Sequence, residues 1–169
     1  AIDVAFRGPG LLEKMQTAGR TTIQLNAPNT ASDAANKRVT ADAVKMFFNV
    51  SGEDLSSAEA IGNAELFVDP LRTAAENYRT TITAPRFDCE FFPTGSNAKN
   101  CVGGTKTKTV RVPTVPADGR GTQTLLADRL NVLFSETTKN VDVMEASGKT
   151  KFSENDRNAV AEKITYSEA

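Results

Sequence analysis

The sequence predicts an all-β fold of short antiparallel strands, on three observations. Apolar and polar residues alternate at period two, as at Leu130, Val132 and Phe134, which gives one strand face to a core and the other to water. Turn-forming Gly, Asn, Asp and Ser break the alternation at intervals of about five to eight residues, the usual strand length. An internal repeat carries the same pattern twice, ungapped at an offset of 86 residues, over 39–76 and 125–162. In it Ala41-Asp42 matches Ala127-Asp128, Phe48 matches Phe134, Glu59-Ala60 matches Glu145-Ala146, Gly62 matches Gly148, and Ala75-Glu76 matches Ala161-Glu162.

The elements follow in order. Leu11 to Gln16, ended by Gly19, admits a short turn of helix, and Asn26 to Asn36 is a polar loop. In the first copy Ala41-Asp42 opens a strand through Val44, Met46 and Phe48. Thr73 to Arg79 holds good helix formers, although its counterpart Asn158 to Tyr166 reads as strand. The middle section repeats the theme loosely, with Phe87, Cys89 and Phe91 on one face, a bulge or bend at Gly103-Gly104, and Lys106, Lys108 and Val110 alternating with threonines. Pro113 to Gly121 is a second loop. The second copy then gives a strand to Phe134, a turn over Ser135 to Asn140, a strand from Val141 to Gly148, a third strand carrying Phe152, a turn over Glu154 to Asn158, and a last strand through Val160, Ile164 and Tyr166. No domain boundary interrupts 1–169, so a single domain is expected.

Composition narrows function. A net charge of -1 points to no general attraction to nucleic acid or anionic membrane. The apolar clusters, such as Met46-Phe47-Phe48, fall far short of the roughly 18 residues of a membrane helix. Ala1 to Phe6 lacks the basic start and apolar stretch of a signal peptide, so a mature or trimmed chain is expected. The absence of histidine removes Ser-His-Asp and Cys-His catalysis and most zinc sites; no metal and no cofactor is expected. Asp42 with Asp128, and Glu59 with Glu145, recur at repeat positions, which favours turn or strand-end roles over paired-carboxylate catalysis. Cys89 and Cys101 flank a turn near Gly95. A hairpin centred there sets them opposite each other for a cross-strand disulfide; buried free thiols are the alternative, and the spacing is not that of a redox Cys-x-x-Cys pair. Lys106, Lys108 and Arg111 are either a solvated strand face or contacts to lipid phosphates. Asn49-Val50-Ser51 is a sequon by pattern, and Gly103-Gly104-Thr105-Lys106 lacks the spacing of a phosphate loop.

The repeated residues resemble the OstA-like periplasmic family of lipopolysaccharide transport, the LptA and LptC proteins. Ala127-Asp128-Arg129-Leu130-Asn131-Val132 fits the family's opening, Glu145 to Phe152 its Gly step, and Ala161 to Tyr166 its close. The first copy fits from Thr40 to Tyr78, Thr17-Ala18-Gly19-Arg20 is a degenerate Gly step, and the stretch from Asn97 to Gly121 departs as an insert. The resemblance implies a β-jellyroll of two antiparallel sheets packed in an open V, without enzymatic activity, located in the periplasm. It implies lipopolysaccharide or another lipid as ligand, end-to-end strand pairing with other Lpt-type jellyroll proteins, and room for a homo-oligomer. The expected groove lining is Val44, Met46, Phe48, Leu66 and Val68 from the first copy, Phe87 and Phe91 from the middle, and Leu130, Val132, Phe134 and Phe152 from the second; a sandwich core packed shut is the plain alternative. Two rival readings are an envelope β-repeat module mediating protein-protein contacts and a carbohydrate-active jellyroll.

Overall fold

The computed structural model describes residues 1–26, 35–71, 78–95, 97–115, 120–137 and 141–167. They form thirteen strands, and no helix occurs among them: β1 (Ile2–Gly8), β2 (Leu11–Thr17), β3 (Thr21–Leu25), β4 (Ala35–Ala41), β5 (Ala43–Phe48), β6 (Leu55–Pro70), β7 (Tyr78–Phe91), β8 (Ala98–Gly104), β9 (Thr107–Pro113), β10 (Gln123–Ala127), β11 (Arg129–Phe134), β12 (Val141–Glu154) and β13 (Arg157–Ser167). All pairings are antiparallel, in one continuous sheet.

The register shows how that sheet is built. It is a meander of rungs, each crossing a common crease. One half holds β1, β2, β5, β8, β11 and residues 55–61, 86–91, 141–147 and 163–167 of the long strands. The other holds β3, β4, β9, β10 and residues 64–70, 78–84, 150–154 and 157–161. The strands β7, β8, β11, β12, β10 and β9 pair in turn, and β9 returns to β7, so six strands close a ring. The ring forms because β7 and β12 run past the crease unbroken, whereas the rungs between them are split by it.

Crease chemistry explains the repeated residues. Gly62, Thr105 and Gly148 have positive φ, and so does the residue after each: Asn63, Lys106 and Lys149. A left-handed pair bends the chain from one half to the other, at positions where glycine and asparagine are least strained. The neighbouring rung crosses beside it. Asp42 donates its backbone N–H to the Gly62 carbonyl, and Asp128 to that of Gly148, both at 2.9 Å. The Asp42 carboxylate accepts from Asn63 Nδ2 at 2.7 Å. Pro85, which has no N–H to place in a ladder, sits where the β6–β7 register skips from Ile61 to Ala64.

The period is shorter than the sequence suggests. Gly19, Gly62, Thr105 and Gly148 recur every 43 residues, all at the crease and all with positive φ. Val44, Phe87 and Leu130 follow the same spacing, as do Phe48, Phe91 and Phe134. The loosely matching middle section is therefore a full copy of the unit, and the offset of 86 spans two units.

Three local expectations are corrected. Leu11–Gln16 is strand, because β2 pairs on both sides, with β1 and β5. The separate strands expected before and after Gly148 are one bent strand, β12; the glycine interrupts the alternation without ending the pairing. The stretch after Gly104 is strand β9 of the meander rather than an insert as far as Pro113. Of the helix considered over Thr73 to Arg79, residues 72–77 lie outside the described residues, and Tyr78 and Arg79 begin β7. Ala75-Glu76 and most of the loop from Asn26 to Asn36 also lie outside them, although Ala35 and Asn36 belong to β4.

Candidate functional site

Residues paired directly across antiparallel strands share a face, so the register sorts the side chains. In the first half one row runs Val44, Ala60, Phe87, Gly103, Leu130, Ala146 and Ile164; the next runs Met15, Met46, Ala58, Cys89, Cys101, Val132, Met144 and Tyr166. In the second half a row runs Ile23, Val39, Leu66, Ile82, Thr109, Leu125 and Phe152. Ala41, Val44, Ala60, Ala64, Ile82, Ala84, Phe87, Ala127, Leu130, Val132 and Ala146 form one buried cluster drawn from both halves. The two halves therefore face each other across a shared interior.

Burial is most complete at the crease and uneven beyond it, where Val132, Ile82, Thr109 and the rim carboxylate Glu154 stay buried beside half-buried neighbours. At the crease the inward residues are small and sealed: Ala41 and Thr150 are 0% exposed, Ala64 1% and Thr107 3%. One row out, Val44, Phe87 and Leu130 remain buried. Beyond them Met46, Met144, Leu66, Leu125 and Phe152 are half-buried, and so are Phe48, Phe91, Phe134 and Val68 at the rim. The expected lining thus separates into two sets. Val44, Phe87, Leu130 and Val132 are sealed core; Met46, Phe48, Leu66, Val68, Phe91, Phe134 and Phe152 are apolar wall that water still reaches.

The rim of the second half is polar on its inward face. Arg111 pairs with Thr80 and Gln123, and Gln123 with Glu154. The Arg111 guanidinium lies 4.4 Å from the Tyr78 ring centre and donates to Gln123 Oε1 at 3.2 Å; Gln123 Nε2 donates to Glu154 Oε1 at 3.1 Å. The hydrogen bond from Gln123 holds the Glu154 carboxyl below its ordinary value. Burial opposes this, while the Gly121 N–H and the charges of Arg157 and Arg120 add to it. The sequence offered no sign of this network, since its members are far apart in the chain and are joined only by register.

The remaining candidates are placed as follows. Cys89 and Cys101 sit opposite each other in the β7–β8 ladder and are bonded, with S–S 2.05 Å and Cα–Cα 4.1 Å, across a hairpin that turns at Gly95. The bridge lies on the inward face and fits an oxidising compartment. Glu59 pairs with Arg86 at 3.1 Å and Lys45 at 3.7 Å, and Glu145 with Lys163, on the outward face. Lys106, Lys108 and Arg111 are not one site: Arg111 points inward, Lys108 outward, and Lys106 is in the crease. Among the described residues no group of His, Cys, Asp and Glu has metal-holding geometry.

Residues 119–169 match the family model described as LptA/(LptD N-terminal domain) LPS transport protein. No curated protein and no solved structure matches the chain. The stretch matched carries β10 to β13, and with them the Asp128–Gly148 crease and the inward residues Leu130, Val132, Phe134 and Phe152. The C-terminal stretch of this chain is thus similar to an LptA/LptD N-terminal lipopolysaccharide-transport family, in line with the resemblance carried by the repeated residues.

Proposed function

We propose that the chain is a periplasmic lipid-transport scaffold, a single OstA-like β-jellyroll domain that holds acyl chains of lipopolysaccharide, or of another lipid, between its two sheet halves. The observation that carries this reading is the set of large apolar side chains on the inward rows that stay half-buried while the crease is sealed. Small residues seal the crease, and large, flexible apolar side chains farther out stay accessible, as in a V that opens away from its fold line. Met46, Met144 and four phenylalanines make a wall that adapts to a flexible chain. Each methylene laid against it contributes about 0.8 kcal/mol. The polar rim at Arg111, Gln123 and Glu154 bounds that wall. No step of bond chemistry is required.

The sheet ends support end-to-end pairing with other jellyroll proteins of the same kind, or with a second copy. β13 pairs only with β12 among the described residues, so alternate residues along this eleven-residue strand offer backbone groups to the free edge. A photoreactive residue at Phe134 tests the ligand reading, with its neighbour Leu133 as control, since Leu133 points outward and is 38% exposed. Adducts with lipopolysaccharide are expected at 134 and not at 133. Adducts at 133 alone, or at neither, overturn it.

A further inference from the structure

We propose that the outward face around Leu126 is a docking surface for an anionic phospholipid bilayer. The overall charge of -1 hides a local excess that only the fold reveals. Leu126 pairs with Lys108 on one side and Lys151 on the other, and Lys151 pairs in turn with Val160. Neighbouring strands lie about 4.8 Å apart, so the two lysines flank Leu126 at about 10 Å from each other. Lys106 and Lys149 stand two residues before them in the crease, also exposed. Leu126 is 40% and Val160 76% exposed, and with Lys151 they border a shallow recess of about 230 Å³.

The repeat supplies an internal comparison. The positions that Lys106 and Lys108 hold in one unit, and Lys149 and Lys151 in the next, are held by Asn63 and Glu65 in the unit before Lys106 and by Arg20 and Thr22 in the unit before that. The bend therefore does not demand lysine. It disfavours lysine, because a left-handed residue with a long side chain is strained where asparagine is not. Among the described residues no carboxylate lies within 4.0 Å of any of the four ammonium groups, whereas Glu65 is engaged by Arg38 at 3.8 Å. Asp128 and Glu162 are the acids beside the crease, which leaves the patch two charges positive.

Leu126 between two pairs of lysines, with Val160 exposed on the strand beyond Lys151, fits a bilayer surface. The aliphatic tips enter the interfacial layer while the lysine stems lie along it and the ammonium groups meet phosphates. Lysines are point charges without the fork of arginine, so they suit a fluid array of phosphates better than one fixed ligand. This surface is on the opposite face from the lipid-holding interior and does not rest on that reading.

Co-sedimentation with vesicles tests it. The chain is expected to sediment with mixed phosphatidylglycerol–phosphatidylcholine vesicles at low salt, to be released by raised salt, and to ignore pure phosphatidylcholine. At about 1 kcal/mol per lysine at an anionic surface, the double variant Lys108→Gln/Lys151→Gln weakens binding by roughly 25-fold. Leu126→Ser weakens it without altering its salt dependence. Lys99→Gln, an exposed lysine on β8 in the other half, leaves it unchanged, and circular dichroism verifies that each variant is folded. Absence of binding to the anionic vesicles, or equal binding by the folded double variant, overturns the proposal.

Discussion

Replacing Gly148 by alanine tests the crease that organises the fold. Gly148 has φ 75°, and a Cβ there meets Asp128 Cβ at 2.9 Å and Oδ2 at 2.9 Å. The left-handed conformation alone costs an L-residue about 1–2 kcal/mol. The contact with Asp128 Cβ adds to this, because Cβ is fixed to a backbone that is itself tied to Gly148 through the Asp128 N–H. The expected loss is about 2–3 kcal/mol, or a fall in melting temperature of about 4–10 °C for a chain of this size. Urea denaturation followed by circular dichroism measures it. Gly104→Ala is the control: it has no positive φ, nothing lies within 4 Å of its Cβ, and a change below about 0.5 kcal/mol is expected. A Gly148→Ala protein as stable as the Gly104→Ala protein refutes the crease argument.

Other perturbations follow from burial and pairing. Leu130→Ala removes a side chain 2% exposed in the shared interior and is expected to cost about 2–5 kcal/mol in the same denaturation assay. Replacing Cys89 and Cys101 together by alanine opens a loop with a sequence separation of 12, and a loss of about 3 kcal/mol relative to the oxidised wild type is expected. Glu154 gives a pH dependence of defined sign. Its folded pKa lies below the unfolded value, so its contribution is complete above the unfolded pKa and is lost as pH falls through the folded one. Glu154→Gln should therefore flatten the acid side of the stability profile while leaving its alkaline side parallel to wild type, as paired denaturation curves across that range will show.

Sequence periodicity made the fold class legible and much less of the architecture. Leu130, Val132 and Phe134 alternate as strand residues and all face inward, as do Val44, Met46 and Phe48. The 43-residue period was hidden because the middle unit changes its marker residues: Pro85 stands where the others have Asp42 and Asp128, and Thr105 where they have Gly62 and Gly148. Thr105 still takes the positive φ of the glycines, and Pro85 still sits at the crease, where the β6–β7 register skips. The glycines broke the polar-apolar alternation, so long strands that bend read as two short ones. Leu11 to Gln16 carries helix-compatible residues, and only pairing with β1 and β5 decides for strand. The Cys89–Cys101 bridge was legible because turn chemistry at Gly95 sets the register between them. The rim network and the lysine patch were not, since Arg111, Gln123 and Glu154, like Lys108, Leu126 and Lys151, meet only through pairing of strands distant in the chain.

The interior itself is reported by its methionines. The chain has three, and Met15, Met46 and Met144 all lie on one inward row of the first half. Methyl-resolved NMR of methionine-labelled protein, titrated with lipopolysaccharide, therefore watches the proposed acyl site without any substitution. All three methyl resonances should shift and show contacts to acyl protons. Binding that leaves the three unmoved, with contacts only to outward residues, would contradict a lipid held between the sheet halves.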